Sequence, residues 1–93
     1  MFILHVKVKM KAGQAGEAEQ VFAGPFKMAI SAQRGFSQVQ FLRPADDGDY
    51  VLSIAFESQP LQQQWVATDL HTRVWAQMEQ HFESYSLDTF TAV

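Results

Sequence analysis

The sequence predicts an α+β fold in which two helices lie on one face of a four-stranded antiparallel sheet. Three observations predict it. Near the start, the middle and the end of the chain, short runs alternate apolar and polar residues or are rich in β-formers, as half-buried strands are. Between them lie two longer stretches whose apolar residues recur at three or four positions, the period of a helix. Gly and Pro fall where the period changes, as turn residues should.

Residues 2–10 form the first strand, with Phe2, Leu4, Val6, Val8 and Met10 on one face and Ile3, His5, Lys7 and Lys9 on the other. Lys11-Ala12-Gly13 ends it. Residues 14–33 read as helix: Ala15, Ala18, Val21, Phe22 and Phe26 keep the helical spacing, and Ala29 and Ile30 continue it. Pro25 lacks the N–H that the ladder needs, so a kink or restart is expected there. Arg34-Gly35 is the stop, because glycine takes the left-handed conformation without penalty.

Residues 36–43 form the second strand. The stretch 44–49, Pro-Ala-Asp-Asp-Gly-Asp, is turn chemistry. Residues 50–57 form the third strand, with Tyr50, Leu52, Ile54 and Phe56 on one face, and they pair with the second strand as an antiparallel hairpin. Ser58 caps the next helix and Pro60 sits in its first turn. Leu61, Trp65, Leu70, Val74, Met78 and Phe82 make the apolar stripe of that helix. The step from Trp65 to Leu70 is one residue too long, and Thr68-Asp69 in the gap predicts a bend with a second cap. Residues 85–92, rich in β-formers, make the fourth strand.

This order is the ferredoxin-like βαββαβ unit, in a single domain over residues 1–93. Helices on one sheet face leave the other bare, and several of its side chains are apolar or aromatic. Eight Phe in 93 residues are also more than a small interior accommodates. Both observations predict a homodimer formed through the sheet faces.

The formal net charge of −3 and the scattered basic residues argue against a nucleic-acid partner. The absence of Cys excludes disulfides and thiolate metal sites. No apolar run approaches the ~20 residues of a membrane helix, and Met1–Leu4 is too short for a signal peptide. The chain therefore reads as soluble and cytoplasmic.

Three pieces of the sequence, in this order and spacing, carry a family resemblance that spans nearly the whole chain. Val6 to Gly13 is a strand running into a glycine before the first helix. Arg34-Gly35-Phe36 leads through a strand to Arg43-Pro44. Phe56-Glu57-Ser58 is followed by Leu61 and then by Trp65-Val66-Ala67-Thr68-Asp69. With these pieces the chain resembles the antibiotic biosynthesis monooxygenase superfamily of dimeric α/β-barrel proteins. The resemblance implies a sheet–helix cleft and one of several functions. Some members oxidise aromatic polyketides with dioxygen and neither metal nor flavin; some bind and open haem; others are isomerases or have no known activity. The haem-degrading group uses an Asn on the first strand, a Trp early in the second long helix, and a His ten residues later as the iron ligand. Here the Trp is Trp65, but Val6 stands at the Asn position and Trp75 at the His position. That departure argues against haem, which stays as the disfavoured cofactor; otherwise none is expected.

Trp65 to Trp75 holds both tryptophans and one of the three histidines. Trp65 either fills the core or stacks a flat aromatic substrate. His71 lies four before Trp75, on the same helix face. It is either an ordinary surface or interface histidine or the base that ionises a phenol or enol. Trp75 lines the cleft or covers the dimer seam. His5 points toward the partner sheet, and His81, near a helix end, carries no assigned role. Asp69 and Arg73 are spaced to pair along the helix, in solvent. His71 and His81 are roughly 15 Å apart along a helix and cannot share a metal.

Two functions remain open. One is a cofactor-independent monooxygenase of a small aromatic or quinol-like molecule, with Trp65 and Trp75 binding it and His71 catalytic. The other is a non-catalytic dimeric ligand-binding protein of the same fold.

Overall fold

A computed structural model describes residues 1–93. In chain order its elements are β1 (Phe2–Met10), α1 (Ala15–Val21), a π-helical turn (Phe22–Phe26), α2 (Lys27–Ser31), β2 (Phe36–Leu42), β3 (Tyr50–Phe56), α3 (Gln59–Val66), α4 (Asp69–Glu79) and β4 (Phe82–Thr91). The strands pair in the order β2–β3–β1–β4, every neighbour antiparallel. This is the ferredoxin-like βαββαβ arrangement, with α1 to α2 as one helical run and α3 to α4 as the other.

Register places the apolar alternates of every strand on the helix side. Val6 lies opposite Leu52 on β3 and Leu87 on β4; Val8 lies opposite Tyr50 and Tyr85. The core forms there, from Val6, Val8, Leu52 and Phe56 of the sheet against Phe26, Ile30 and Met78 of the helices. Burying each such side chain contributes about 1.5–3 kcal/mol. No helix is long and apolar enough to cross a membrane.

Pro25 does not break its helix. The Lys27 N–H is directed to the Phe22 carbonyl, five residues back. Widening the turn in this way accommodates a residue that has no N–H to give and whose ring crowds the carbonyl one turn earlier. The second helical run does break where the spacing predicts. Ala67 ends α3, and the Thr68 hydroxyl accepts the His71 N–H at 3.0 Å to cap α4. Ser58 likewise caps α3.

The last strand starts three residues earlier than expected. Phe82 belongs to β4, opposite Met10, and not to the helical stripe. The α4–β4 turn is pinned by the β1–α1 loop. The Lys11 N–H donates to the His81 carbonyl at 2.9 Å, and the His81 ring bonds Gln14 at 3.0 Å. His81 is thus buried and structural, a placement that its position near a helix end did not foretell. Asp69 and Arg73 stay exposed and form no ion pair.

The sheet face away from the helices carries Ile3, Val51, Ala55, Leu42 and Phe90 among Lys, Gln, Ser and Asp. Phe90 is half exposed, and its ring meets His5 at 5.0 Å.

Candidate functional site

The helices cover β3 and β1 but stop short of the edge strand β4. Tyr85, Leu87 and Thr89 face the helix side through strand alternation, yet all three remain exposed. The uncovered strip is one wall of a cleft of about 350 Å³. Phe2, Leu4 and Val6 of β1 form its floor, and Gln62 and Trp65 of α3 with His71 and Trp75 of α4 form the opposite wall.

The break at Thr68 positions this wall. A continuous helix would carry Trp65 and His71, six apart, onto different faces. Because α4 restarts from its own cap, the His71 ring meets the Trp65 ring edge-on, with centroids 5.0 Å apart and planes at 87°. On its other side Trp75, one turn on, lies nearly parallel at 6.2 Å and 7°. His71 therefore sits between the two tryptophans, and its ring nitrogens are not sealed from solvent. Burial holds its pKa below the ordinary histidine value. At neutral pH the imidazole is uncharged and has one nitrogen free to accept a proton.

Trp65 is 2 % exposed and belongs to the core while also forming cleft wall. Core and pocket are not alternatives here, because one side of the indole packs inward and the remainder borders the cavity. Trp75 also lines the cleft. Its Nε1 donates to the Glu79 carboxylate at 3.2 Å, and its ring contacts Tyr85 edge-on at 5.4 Å. The Glu79 carboxylate also raises the pKa of the Tyr85 hydroxyl.

Two residues of this cleft carry no signal strong enough to single them out in the sequence. Tyr85 is one β-former among several in the last strand; only the two-residue alternation Tyr85, Leu87, Thr89 places it on the helix side. Gln62 is one of four glutamines around Trp65. Its position three before Trp65 puts it on the same helix face, and it is buried, 5 % exposed. Its Oε1 accepts from Gln63 at 3.2 Å, whereas its Nε2 has no protein partner.

Other polar clusters lie away from the cleft. Glu19 of α1 takes two bonds from the Arg43 guanidinium, at 2.9 and 2.5 Å, and one from the Tyr50 hydroxyl. These donors hold its pKa down at about 2. The cluster ties α1 to the β2–β3 hairpin. His5 lies on the opposite sheet face, and no three His, Asp or Glu side chains gather as a metal site. No Lys or Arg lines the cleft. A porphyrin's two propionates would find no cation there, and Trp75 offers iron no ligand; His71 is the one imidazole that lines the cleft.

The sequence model of the antibiotic biosynthesis monooxygenase family matches residues 1–77. No curated protein sequence matches the chain. Among solved structures, a Nitrosomonas europaea protein that carries this family's name superposes with a TM-score of 0.84 at 15 % identity, covering 100 % of this chain and 99 % of that one. SnoaB of Streptomyces nogalater, a cofactor-independent oxygenase, superposes at 0.85 and 18 %, covering 98 % and 91 %. An MhuD variant with two manganese protoporphyrin IX bound per active site superposes at 0.82 and 25 %, covering 100 % and 95 %.

Proposed function

The chain belongs to the antibiotic biosynthesis monooxygenase family, and we propose that it is a cofactor-independent monooxygenase of a flat aromatic or quinol-like molecule. One observation carries this reading: a neutral imidazole, His71, held between Trp65 and Trp75 in an otherwise largely apolar cleft. Fold likeness to SnoaB is consistent with it, though a fold by itself does not fix a reaction.

The chemistry asks for little beyond such a cleft. Trp65 and Trp75 border a flat ring, and His71 takes the proton of its hydroxyl. The resulting anion passes one electron to dioxygen, leaving a ring radical and superoxide. These combine at the ring carbon para to the oxygen, forming a C–O bond to a hydroperoxide. That carbon then loses its hydrogen as a proton, the O–O bond breaks, one oxygen stays as a carbonyl and the other leaves as water. Both protons end in the water, one returned by His71. The substrate supplies every electron, so no reductant is required.

The proposed assembly is a homodimer in which the open sheet faces meet, covering Ile3, Val51 and Phe90. The cleft lies on the other side of the sheet, so dimerisation leaves it accessible.

Dioxygen uptake over a panel of dihydroxyaromatics tests the reaction. Uptake that falls sharply in both Trp65→Ala and His71→Ala supports it. If wild type shows no uptake above those variants while aromatic ligands still quench its tryptophan fluorescence, the protein binds without turnover.

A further inference from the structure

The sheet face on which two protomers meet is not wholly apolar. Strand alternation places Ile3, His5, Lys7 and Lys9 of β1 on it, beside Ser84, Ser86, Asp88 and Phe90 of β4. The same face of β2 and β3 carries only Gln, Leu, Val, Ser and Ala. Lys9 is paired with Glu83 at 3.9 Å, and the His5 ring rests against Phe90. Two charges on this face have no ion-pair partner within the chain: Lys7 and Asp88, both exposed. In a monomer water solvates them. A face-to-face dimer takes them out of water, and a charge buried without a counter-charge is strongly destabilising.

The register shows how a second copy satisfies both. Asp88 lies opposite His5, whereas Lys7 lies two residues further along β1, opposite Ser86. Anion and cation therefore occupy different rows of the face, about 7 Å apart along the strands. The two-fold axis that brings two such faces together lies between the sheets, and it runs along the strands or across them. Along the strands, each row meets the same row of the partner, so Lys7 meets a second Lys7. Across the strands, the rows are reversed, and the Lys7 row meets the Asp88 row twice, once on each side of the axis. Sheet twist rotates either arrangement by about 30° without exchanging its rows.

We propose that two copies of this chain pack with their strands antiparallel across the seam, and that Lys7 of each protomer pairs with the partner's Asp88. This rests on the homodimer and adds its orientation and the charges that set it. Such pairs fix register and exclude wrong orientations more than they add affinity. The same reversal puts the two clefts, floored by Phe2, Leu4 and Val6, toward opposite ends of the dimer.

Exchanging charge between protomers tests the pairing, and both side chains are exposed in the chain, so the fold tolerates the change. Lys7→Asp makes both positions acidic, and Asp88→Lys makes both basic. Each variant alone brings like charges together at both contacts. Its dimer is expected to dissociate with a Kd raised at least about 100-fold over wild type. An equimolar mixture of the two variants restores opposite charges at both contacts. Sedimentation equilibrium should then return the dimer mass, with a Kd within about threefold of wild type. Within either chain the charges stay alike, so recovery on mixing reads contacts between chains alone. Far-UV circular dichroism checks that each variant folds; where one does not, Lys7→Glu and Asp88→Arg repeat the exchange. With wild type dimeric, variants that dimerise alone as wild type does, or a mixture that stays monomeric, overturn the pairing and leave the homodimer standing. A wild type that is monomeric at every concentration overturns the homodimer, and the pairing falls with it.

Discussion

Replacing Gly35 with alanine should damage this protein out of proportion to the one methyl group added. Gly35 has φ +81°, in the left-handed region, where a side chain costs about 1–2 kcal/mol. The added Cβ would also lie 2.5 Å from Leu61 Cδ1 and 2.9 Å from Leu61 Cβ. The first contact relaxes by a rotamer change. The second does not, because the Cβ of Leu61 is fixed to the first turn of α3. Ordinary carbon contacts lie at ~3.5–4.0 Å, so α3 must move by about 0.5–1 Å, at about 1–3 kcal/mol for overpacking.

The total, about 2–5 kcal/mol, corresponds to a drop in Tm on the order of 10–30 °C for a domain of this size. Far-UV circular dichroism during heating and urea titration, at fixed protein concentration, measures it. Gln62 and Trp65 ride on the same helix, so the tryptophan emission and the affinity for flat aromatics should change together with stability. Leu61→Ala removes Cγ and Cδ1 and part of the clash. The double variant should therefore be more stable than the sum of the single effects by about 1 kcal/mol. A Gly35→Ala protein within roughly 0.5 kcal/mol of wild type, the range of neutral surface changes, would refute the reasoning.

The Glu19 cluster sets an acid dependence. Its carboxyl is held at about 2 in the fold against ~4.3 when unfolded, so its contribution is present above ~4.3 and is lost as pH falls toward 2. Urea midpoints measured across that window should fall less steeply in Glu19→Gln than in wild type. His71 has its pKa lowered by burial. The rate of dioxygen uptake should therefore hold through neutrality and decline only below the ordinary histidine range, as protonation removes the base. His71→Ala should lower that rate by about 10²–10⁴-fold and abolish the acid limb. Trp65→Ala should cost about 3–5 kcal/mol, seen in the unfolding midpoint, because the indole is core as well as wall. Phe90→Asp, on the open sheet face, should yield monomers in sedimentation equilibrium, and an unchanged mass would argue against dimerisation through that face.

Most of the fold was legible because the chain's local and global signals agree. The period of two in β1 and β3, the caps at Ser58 and Thr68, the turn at 44–49 and the one-residue excess between Trp65 and Leu70 each report the structure they occupy. Two places escaped. At Pro25 the sequence states only that a hydrogen bond is missing, and whether the helix breaks or widens into a π turn depends on what packs around it. At Phe82 an apolar residue fits both the helical stripe and the next strand. The contact of His81 with Gln14, 67 positions earlier in the chain, decides where the helix stops.

The candidate site was legible in part. Trp65, His71 and Trp75 stand out as scarce residues at helical spacing, and the family pieces around them point the same way. Periodicity fixes the face of its own element on which a residue sits. It says nothing of how far the neighbouring element reaches across that face. That the helices stop short of β4, that Tyr85 closes the far wall, and that Gln62 alone of the glutamines lining the cavity is buried are consequences of packing distances between elements. By itself, then, the sequence determined the fold, the family and the helix face on which Trp65, His71 and Trp75 sit. Only the tertiary structure gathered them around one space, because a cleft is the volume left over once the elements have packed.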